Sequence, residues 1–196
     1  MRANDATVSG IFQDSVADSF CAYLDQNSTD NCLTMVRGIF VFDTSAIPDT
    51  DTIDSATLAI KRSGVAMKDD FTDSVSLVKG YSASNTALAA TDYNIVNWDM
   101  TQQASDILFS ATAADTFFTF TLNATGLTNI IKTGVSKFGT TFANDRTDTK
   151  PTSGAVASQR MPNYFADTAG TDSDPILTVV HSAAGGAANH WLLMGV

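Results

Sequence analysis

Hydrophobic and polar residues alternate in two runs between positions 37 and 60, and a short polar connection joins the runs. In the first run, Gly38, Phe40 and Phe42 fall on one face of an extended strand, because successive side chains of a strand point to opposite sides. Arg37 and Asp43 fall on the other face. The pattern predicts a strand whose phenylalanine face packs into a hydrophobic core.

The connection and the second run predict a turn followed by another strand. Ile47-Pro48 favours extended backbone and removes an amide donor, and the Asp-rich residues 49–52 that follow are typical of a turn. In the second run Ala56, Leu58 and Ile60 share one face, which predicts a second strand with that face toward the core. The pattern leaves open whether the two strands pair with each other.

The same periodicity extends over the rest of the chain. It predicts nine short strands, over residues 6–12, 21–23, 35–42, 55–61, 73–81, 116–122, 136–143, 155–160 and 176–181. Residues 85–90 and 123–132 have the spacing of short helical turns, and residues 144–154 read as a surface loop. We therefore predict an all-β protein: a single antiparallel jelly-roll-like β-sandwich with one or two short helical turns.

Composition supports this fold class and excludes one kind of partner. All 21 acidic residues are aspartate, so glutamate, which surface helices favour, is absent. The net charge is −10 with only 11 Lys and Arg residues, and no basic patch is visible, so we expect no nucleic-acid partner. No segment has the apolar length of a signal peptide or a membrane span, so we expect synthesis in the cytoplasm and no membrane partner.

The C-terminal residues differ from the rest of the chain. We predict a β-sandwich over residues 1–182, followed by an Ala/Gly tether and an apolar tail over residues 183–196. Either the tail folds onto its own domain as a last strand, or it docks into a neighbouring subunit. Under the second interpretation, which we adopt, the assembly contacts are Trp191, Leu192, Leu193, Met194 and Val196.

Residues that could carry chemistry are few. Aspartates cluster in three predicted loops: at Asp69-Asp70, at Asp172-x-Asp174, and in the set Asp49, Asp51 and Asp54. We interpret these clusters as solvated turns, and the resulting expectation is no catalytic residue. Carboxylates in loops suit a structural calcium ion, either in the set at residues 49–54 or at Asp145 and Asp148, but the ligand set stays unknown.

The remaining reactive residues give no catalytic signature. His181 and His190 lack a nucleophile-elbow motif, so we interpret them as packing or surface residues. Cys21 and Cys32 fit either a disulfide or two free thiols. We expect no cofactor and no enzyme activity.

Exposed aromatic rings are the usual contacts of sugar-binding modules, because flat rings stack on pyranose faces. The aromatic candidates are Tyr81, Tyr93, Trp98, Tyr164 and Phe165. Of these, Trp98 and Tyr164 are our candidate glycan contacts, although each residue also suits packing in the core or at a sheet edge.

The two runs and the end of the chain resemble a known family. A strand ending Phe42-Asp43, a Ser45-x-Ile47-Pro48 turn and the following Ile-x-Ser-Ala-Thr-Leu strand are similar to DNRLRE-type, carbohydrate-binding-module-like jelly-roll domains. The Asp-Pro-Ile-Leu-Thr-Val run at residues 174–179 is similar to their closing strand. The middle, at residues 83–86, 92–93, 121–127 and 132–139, resembles versions found in tailed-phage and metagenomic virion proteins.

The resemblance implies a role as well as a fold. Together with the missing signal peptide and the apolar tail, it implies a non-enzymatic phage virion structural protein, made in the host cytoplasm and located in the virion as a capsid decoration, tail-fibre or tail-associated subunit. Its partners would be other virion proteins and further copies of itself. The alternative is a carbohydrate- or host-receptor-binding module displayed on a particle or cell surface, with glycans as partners.

Overall fold

The computed structural model describes residues 18–28, 32–151, 155–166, 168–184 and 190–195, the last of these through the backbone alone. The predicted strand over residues 6–12 lies outside the described residues, as do the tether residues 185–189 and the predicted contact Val196. The division into a domain over residues 1–182 and a separate tail therefore stays a prediction.

Eleven strands and two short helices make up the described fold. The strands are β1 (Asp18–Gln26), β2 (Cys32–Asp43), β3 (Thr52–Lys61), β4 (Lys68–Asp69), β5 (Ser74–Val78), β6 (Ile107–Leu108), β7 (Phe117–Thr121), β8 (Val135–Phe142), β9 (Ala157–Tyr164), β10 (Ile176–Ser182) and β11 (His190–Gly195). The helices are α1 (Ala124–Thr128) and α2 (Ala143–Arg146).

The strands form two antiparallel sheets. The seven-stranded sheet has the order β4-β9-β1-β2-β8-β5-β6, and the four-stranded sheet has the order β11-β10-β3-β7. The strands β2 and β3, which contain the two alternating runs, lie in different sheets. The predicted all-β antiparallel sandwich is confirmed, and the connection after β2 is the crossover that carries the chain from one sheet to the other.

The core lies between the sheets and is built from the faces that the alternation predicts. On β2, Phe40 and Phe42 are buried, with 2% and 1% of their surface exposed. On β3 the predicted face is buried as well, and Leu58 has no exposed surface. Burial of apolar side chains from both sheets is the main force that holds such a sandwich together.

Helical segments differ from the prediction in position and length. The predicted turn over residues 85–90 is wrong: Ala89 is extended and a 3-10 turn follows at Ala90–Tyr93. The cause is the Asp92 carboxylate, which accepts the main-chain N–H groups of Ala83 and Ala89 at 2.9 and 2.8 Å and so holds the preceding residues in a loop. α1 does form where predicted, capped by Asn123, but ends at Thr128.

A long connection covers part of the outer face of the seven-stranded sheet. The 81–100 segment packs Ile95 and Trp98 against Val78, with Ile39 beside them, in a small second core. The segment can approach because Gly139 lacks a side chain: a Cβ there would collide with the Trp98 ring and lie 2.9 Å from the Gly80 Cα. The outward face of this sheet is thus partly covered by the chain itself.

Candidate functional site

Arg37 and Asp145 form a salt bridge in which both side chains are fully buried. Arg37 lies on the outward face of β2, and α2 places Asp145 beside it. The Arg37 Nε and Nη2 groups donate to the two oxygens of the Asp145 carboxylate at 2.7 and 2.9 Å, and neither side chain has exposed surface. This is the two-point geometry in which arginine binds a carboxylate most strongly.

Aromatic rings of the 81–100 segment complete the enclosure of Arg37. The guanidinium carbon lies 4.6 Å from the centre of the Tyr93 ring and 5.9 Å from that of Trp98, distances at which the negative faces of the rings attract a cation. The Tyr93 hydroxyl donates to the Met35 carbonyl oxygen at 2.9 Å, and the Trp98 Nε1 group donates to the Asp92 carbonyl oxygen at 2.7 Å.

The electrostatics of this site favour a permanent ion pair. Burial opposes the charged guanidinium, but hydrogen bonding and attraction to Asp145 outweigh it, so the pKa of Arg37 is raised. Burial raises the pKa of Tyr93 to about 12, which keeps its hydroxyl protonated as a donor. Each of these groups is already engaged by protein atoms, so we interpret the site as a clamp that fastens the 81–100 segment to β2.

The acidic turn after β2 is only partly the solvated turn that we predicted. Asp49 and Asp54 are exposed, but Asp51 is 8% exposed and its carboxylate lies 2.7 Å from the His181 Nδ1 atom. The Lys132 ammonium donates to the main-chain oxygens of Asp49 and Asp51 at 2.5 and 2.6 Å. A cationic group therefore already lies at this turn, and the interpretation of Asp51 as solvated is wrong.

The second proposed calcium position is also engaged. Asp145, which we grouped with Asp148, is the buried partner of Arg37. Within the described ranges, no three His, Cys, Asp or Glu side chains are grouped so that they could hold a metal ion.

Both cysteines are free thiols. Cys32 pairs across the β1–β2 ladder with Gln26, and Cys21 lies five positions further along β1, a separation of about 16 Å at strand spacing. That distance is too great for a disulfide. Burial raises the pKa of the Cys21 thiol to about 12, so this thiol is a packing group, whereas Cys32 is exposed.

The two candidate glycan contacts have different environments. Trp98 is only 6% exposed and its ring is enclosed against Gly139, so the structure does not support it as a residue that stacks on a sugar. Tyr164 is partly exposed at the end of β9. Its ring lies 5.7 Å from the Lys61 Nζ atom, which is also 5.9 Å from the ring of Phe117, and Phe117 is 39% exposed.

The predicted assembly residues lie in β11. This strand pairs antiparallel with β10, so that Trp191 lies opposite Val180 and Leu193 opposite Thr178. Its backbone thus continues the four-stranded sheet of its own chain, as the first of our two interpretations has it. Docking of these residues on a neighbouring subunit stays a prediction. In the described part of the chain, no helix is long and apolar enough to span a membrane.

Comparison with protein-family models, with curated proteins and with solved structures finds no match for this chain. The resemblance to DNRLRE-type domains therefore stays a prediction that rests on the residues quoted for it.

Sequence reasoning missed two buried side-chain contacts, Arg37 with Asp145 and Asp51 with His181. Arg37 and Asp145 are 108 positions apart, and Asp51 and His181 are 130 apart, so no local spacing connects them. One weak signal was present, since Arg37 is a charged residue in the middle of a mostly apolar strand and such a residue needs a partner when it is buried.

Proposed function

We propose that this protein is a non-enzymatic structural subunit of a virion, acting by self-assembly and by docking on other virion proteins as a surface decoration, fibre or tail-associated component. The observation that carries the proposal is the position of β11, an uncharged strand at the edge of the four-stranded sheet. Edge strands present unpaired N–H and C=O groups that can pair with another chain.

The other sheet edges differ from this one. The seven-stranded sheet ends in β4 and β6, which have two residues each, and such short strands offer little to pair with. The opposite edge of the four-stranded sheet, β7, is followed at Leu122 by a bridge to Ala104. β11 has six residues, HWLLMG, and within the described ranges only β10 pairs with it.

A charge placed in β11 tests whether this edge strand takes part in self-association. Leu193→Lys should lower the self-association of the purified protein, because a lysine in an edge strand opposes pairing with another strand. Molar mass is measured by light scattering after size-exclusion chromatography. Val96→Lys, in the 81–100 segment where Val96 is 70% exposed, is the matched control and should associate like the wild type. If the two variants associated equally, β11 would not be an assembly contact.

The virion setting rests on the resemblance of residues 121–127 and 132–139 to phage versions of the domain. The genes next to the coding sequence test it directly. Capsid or tail genes on either side are the expected result. A neighbourhood of metabolic genes with no virion gene would contradict the virion setting. Self-assembly is tested separately, by the molar-mass measurement above.

A second candidate function is glycan binding, and the surface at Tyr164, Phe117 and Lys61 favours it. Two partly exposed rings beside an ammonium group offer stacking surfaces and a hydrogen-bond donor to a sugar. On a glycan array, Tyr164→Ala should abolish binding and Val96→Ala should leave it unchanged. Absence of binding by the wild-type protein to every glycan would reject this candidate.

A further inference from the structure

The outward face of the four-stranded sheet carries rows of uncharged residues that are exposed or partly exposed. Thr57 on β3 lies directly between Thr121 on β7 and Thr178 on β10, so the three form one row across the sheet. Thr121 is exposed, and the other two are partly exposed. In the next row Ala59 lies between Thr119 and Ile176.

This neutrality is unusual for the chain as a whole. The protein carries 21 aspartates and a net charge of −10, yet β7, β10 and β11 contain no Asp, Lys or Arg. Two copies repel each other wherever their carboxylates approach. The outward face of this sheet is a surface on which two copies can meet without bringing aspartates together.

Two opposite charges mark the ends of the face, and both belong to β3. At one end Asp54 is exposed and its carboxylate accepts a hydrogen bond from the Ser182 hydroxyl at 3.1 Å. At the other end the Lys61 ammonium donates to the Ser173 hydroxyl at 3.1 Å. The two residues are seven positions apart, which is about 23 Å along a strand.

We infer that a second copy of this chain packs on this face, sheet against sheet, with the two β3 strands antiparallel, so that Lys61 of each copy meets Asp54 of the other. A two-fold interface brings the same patch of both subunits together and requires it to be self-complementary. Opposite charges at the two ends of one strand, with neutral residues between them, satisfy that requirement, and sandwich sheets pack with nearly aligned strands.

This inference rests on the proposed function and names its partner. A basic partner would be attracted to the aspartates elsewhere on the surface rather than to the neutral centre of this face. The face is also distinct from the outer edge of β11, which pairs through the backbone. Asp54 and Lys61 lie on β3, so variants at these positions test the face without altering β11.

A charge exchange tests the inference. Asp54→Lys alone and Lys61→Asp alone each place like charges at both ends of the interface, so each should raise the dissociation constant of the dimer about tenfold or more. The double variant D54K/K61D is self-complementary again and should return to about the wild-type value. Lys68→Asp, the same charge change at an exposed position on β4, should leave dimerisation unchanged.

The dissociation constants are measured by sedimentation velocity, with circular dichroism and thermal unfolding to verify the fold of each variant. Thr57→Asp places a carboxylate in the neutral centre of the face and should also give monomers. This variant replaces Asp54→Lys or Lys61→Asp in the test if either of them fails to fold. Failure of the double variant to recover, or single variants that dimerise like the wild type, would overturn the inference while leaving self-assembly intact. A wild-type chain that stays monomeric would overturn both.

Discussion

At the scale of single residues, the Arg37–Asp145 pair links three separate parts of the chain. It ties the outward face of β2 to α2, and the Tyr93 ring on the guanidinium adds the 81–100 segment. A charge without exposed surface is tolerated only while its partner is present, because desolvation is not otherwise offset. The stability of this corner thus depends on keeping both charges.

Asp145→Asn should therefore destabilise the fold by about 3–5 kcal/mol, because Arg37 would be left buried without a counter-charge. Urea unfolding followed by circular dichroism measures the loss. Asp106→Asn removes the carboxylate from the partly exposed Arg146–Asp106 pair and should cost only about 1 kcal/mol. Equal costs for the two variants would show that the buried pair does not clamp the segment.

Stability should also fall in alkali because of two buried groups. Cys21 and Tyr93 have folded-state pKa values of about 12, above their ordinary values of 9.0 and 10.0, and burial is the main cause for each. The unfolded chain therefore ionises first as pH rises. The stabilisation is complete below about pH 9 and is lost progressively toward about pH 12.

Between the ordinary and the raised pKa, each group should lower the free energy of unfolding by about 1.4 kcal/mol per pH unit. Denaturant titrations at a series of pH values measure this slope. Tyr93→Phe should make the slope above about pH 10 shallower. A slope that this variant does not change would contradict the role of Tyr93.

These residue contacts could be predicted from the sequence only in part. The burial of Phe40, Phe42 and Leu58 follows from alternation, which is a local property. The environments of Arg37, Asp51 and Trp98 depend on segments that are distant in sequence, so composition and spacing described them wrongly or not at all.

At the scale of elements, the packing of the 81–100 segment on the seven-stranded sheet depends on a glycine in β8. The Trp98 ring and the Gly80 main chain both lie against Gly139 on β8, so a side chain at position 139 must displace one of them. Sequence alternation alone does not show this requirement, because a glycine within a strand also suits a bulge or a bend.

Gly139→Ala should destabilise the protein by about 1–3 kcal/mol, since the added methyl group overpacks this contact. In a Trp191→Phe background, fluorescence then reports on Trp98 alone and should shift toward the spectrum of an exposed indole. Gly134→Ala is the matched control, because its nearest neighbour, an Ile131 side-chain carbon, lies 4.0 Å away. An unchanged Trp98 spectrum in Gly139→Ala would contradict the packing described.

Elements of five or more residues were largely predictable, and those of two to four residues were not. β2, β3 and β10 lie where alternation places them, within a few residues. β4, β6 and α2 are too short to give a periodic signal, since they have only two to four residues. The helical turn predicted at residues 85–90 failed because the Asp92 side chain satisfies the amides of Ala83 and Ala89.

At the scale of the whole molecule, the two sheets expose different outer faces. The seven-stranded sheet is partly covered by the 81–100 segment, whereas the four-stranded sheet presents neutral rows of threonine and aliphatic residues and ends at β11. The antiparallel sandwich was predictable from the number and spacing of strands. The sheet order, and hence the identity of the open face, was not, because it depends on pairings such as β3 with β10 and β2 with β8.

The central claim, that this chain acts by assembling, is tested most directly by sedimentation velocity of the wild-type protein from about 1 μM to about 1 mM at moderate ionic strength. The account predicts a concentration-dependent shift from monomer to dimer or larger species. The shift should strengthen as salt is raised from a low level, because salt screens the repulsion between chains of net charge −10. A monomer at every concentration and ionic strength would contradict it.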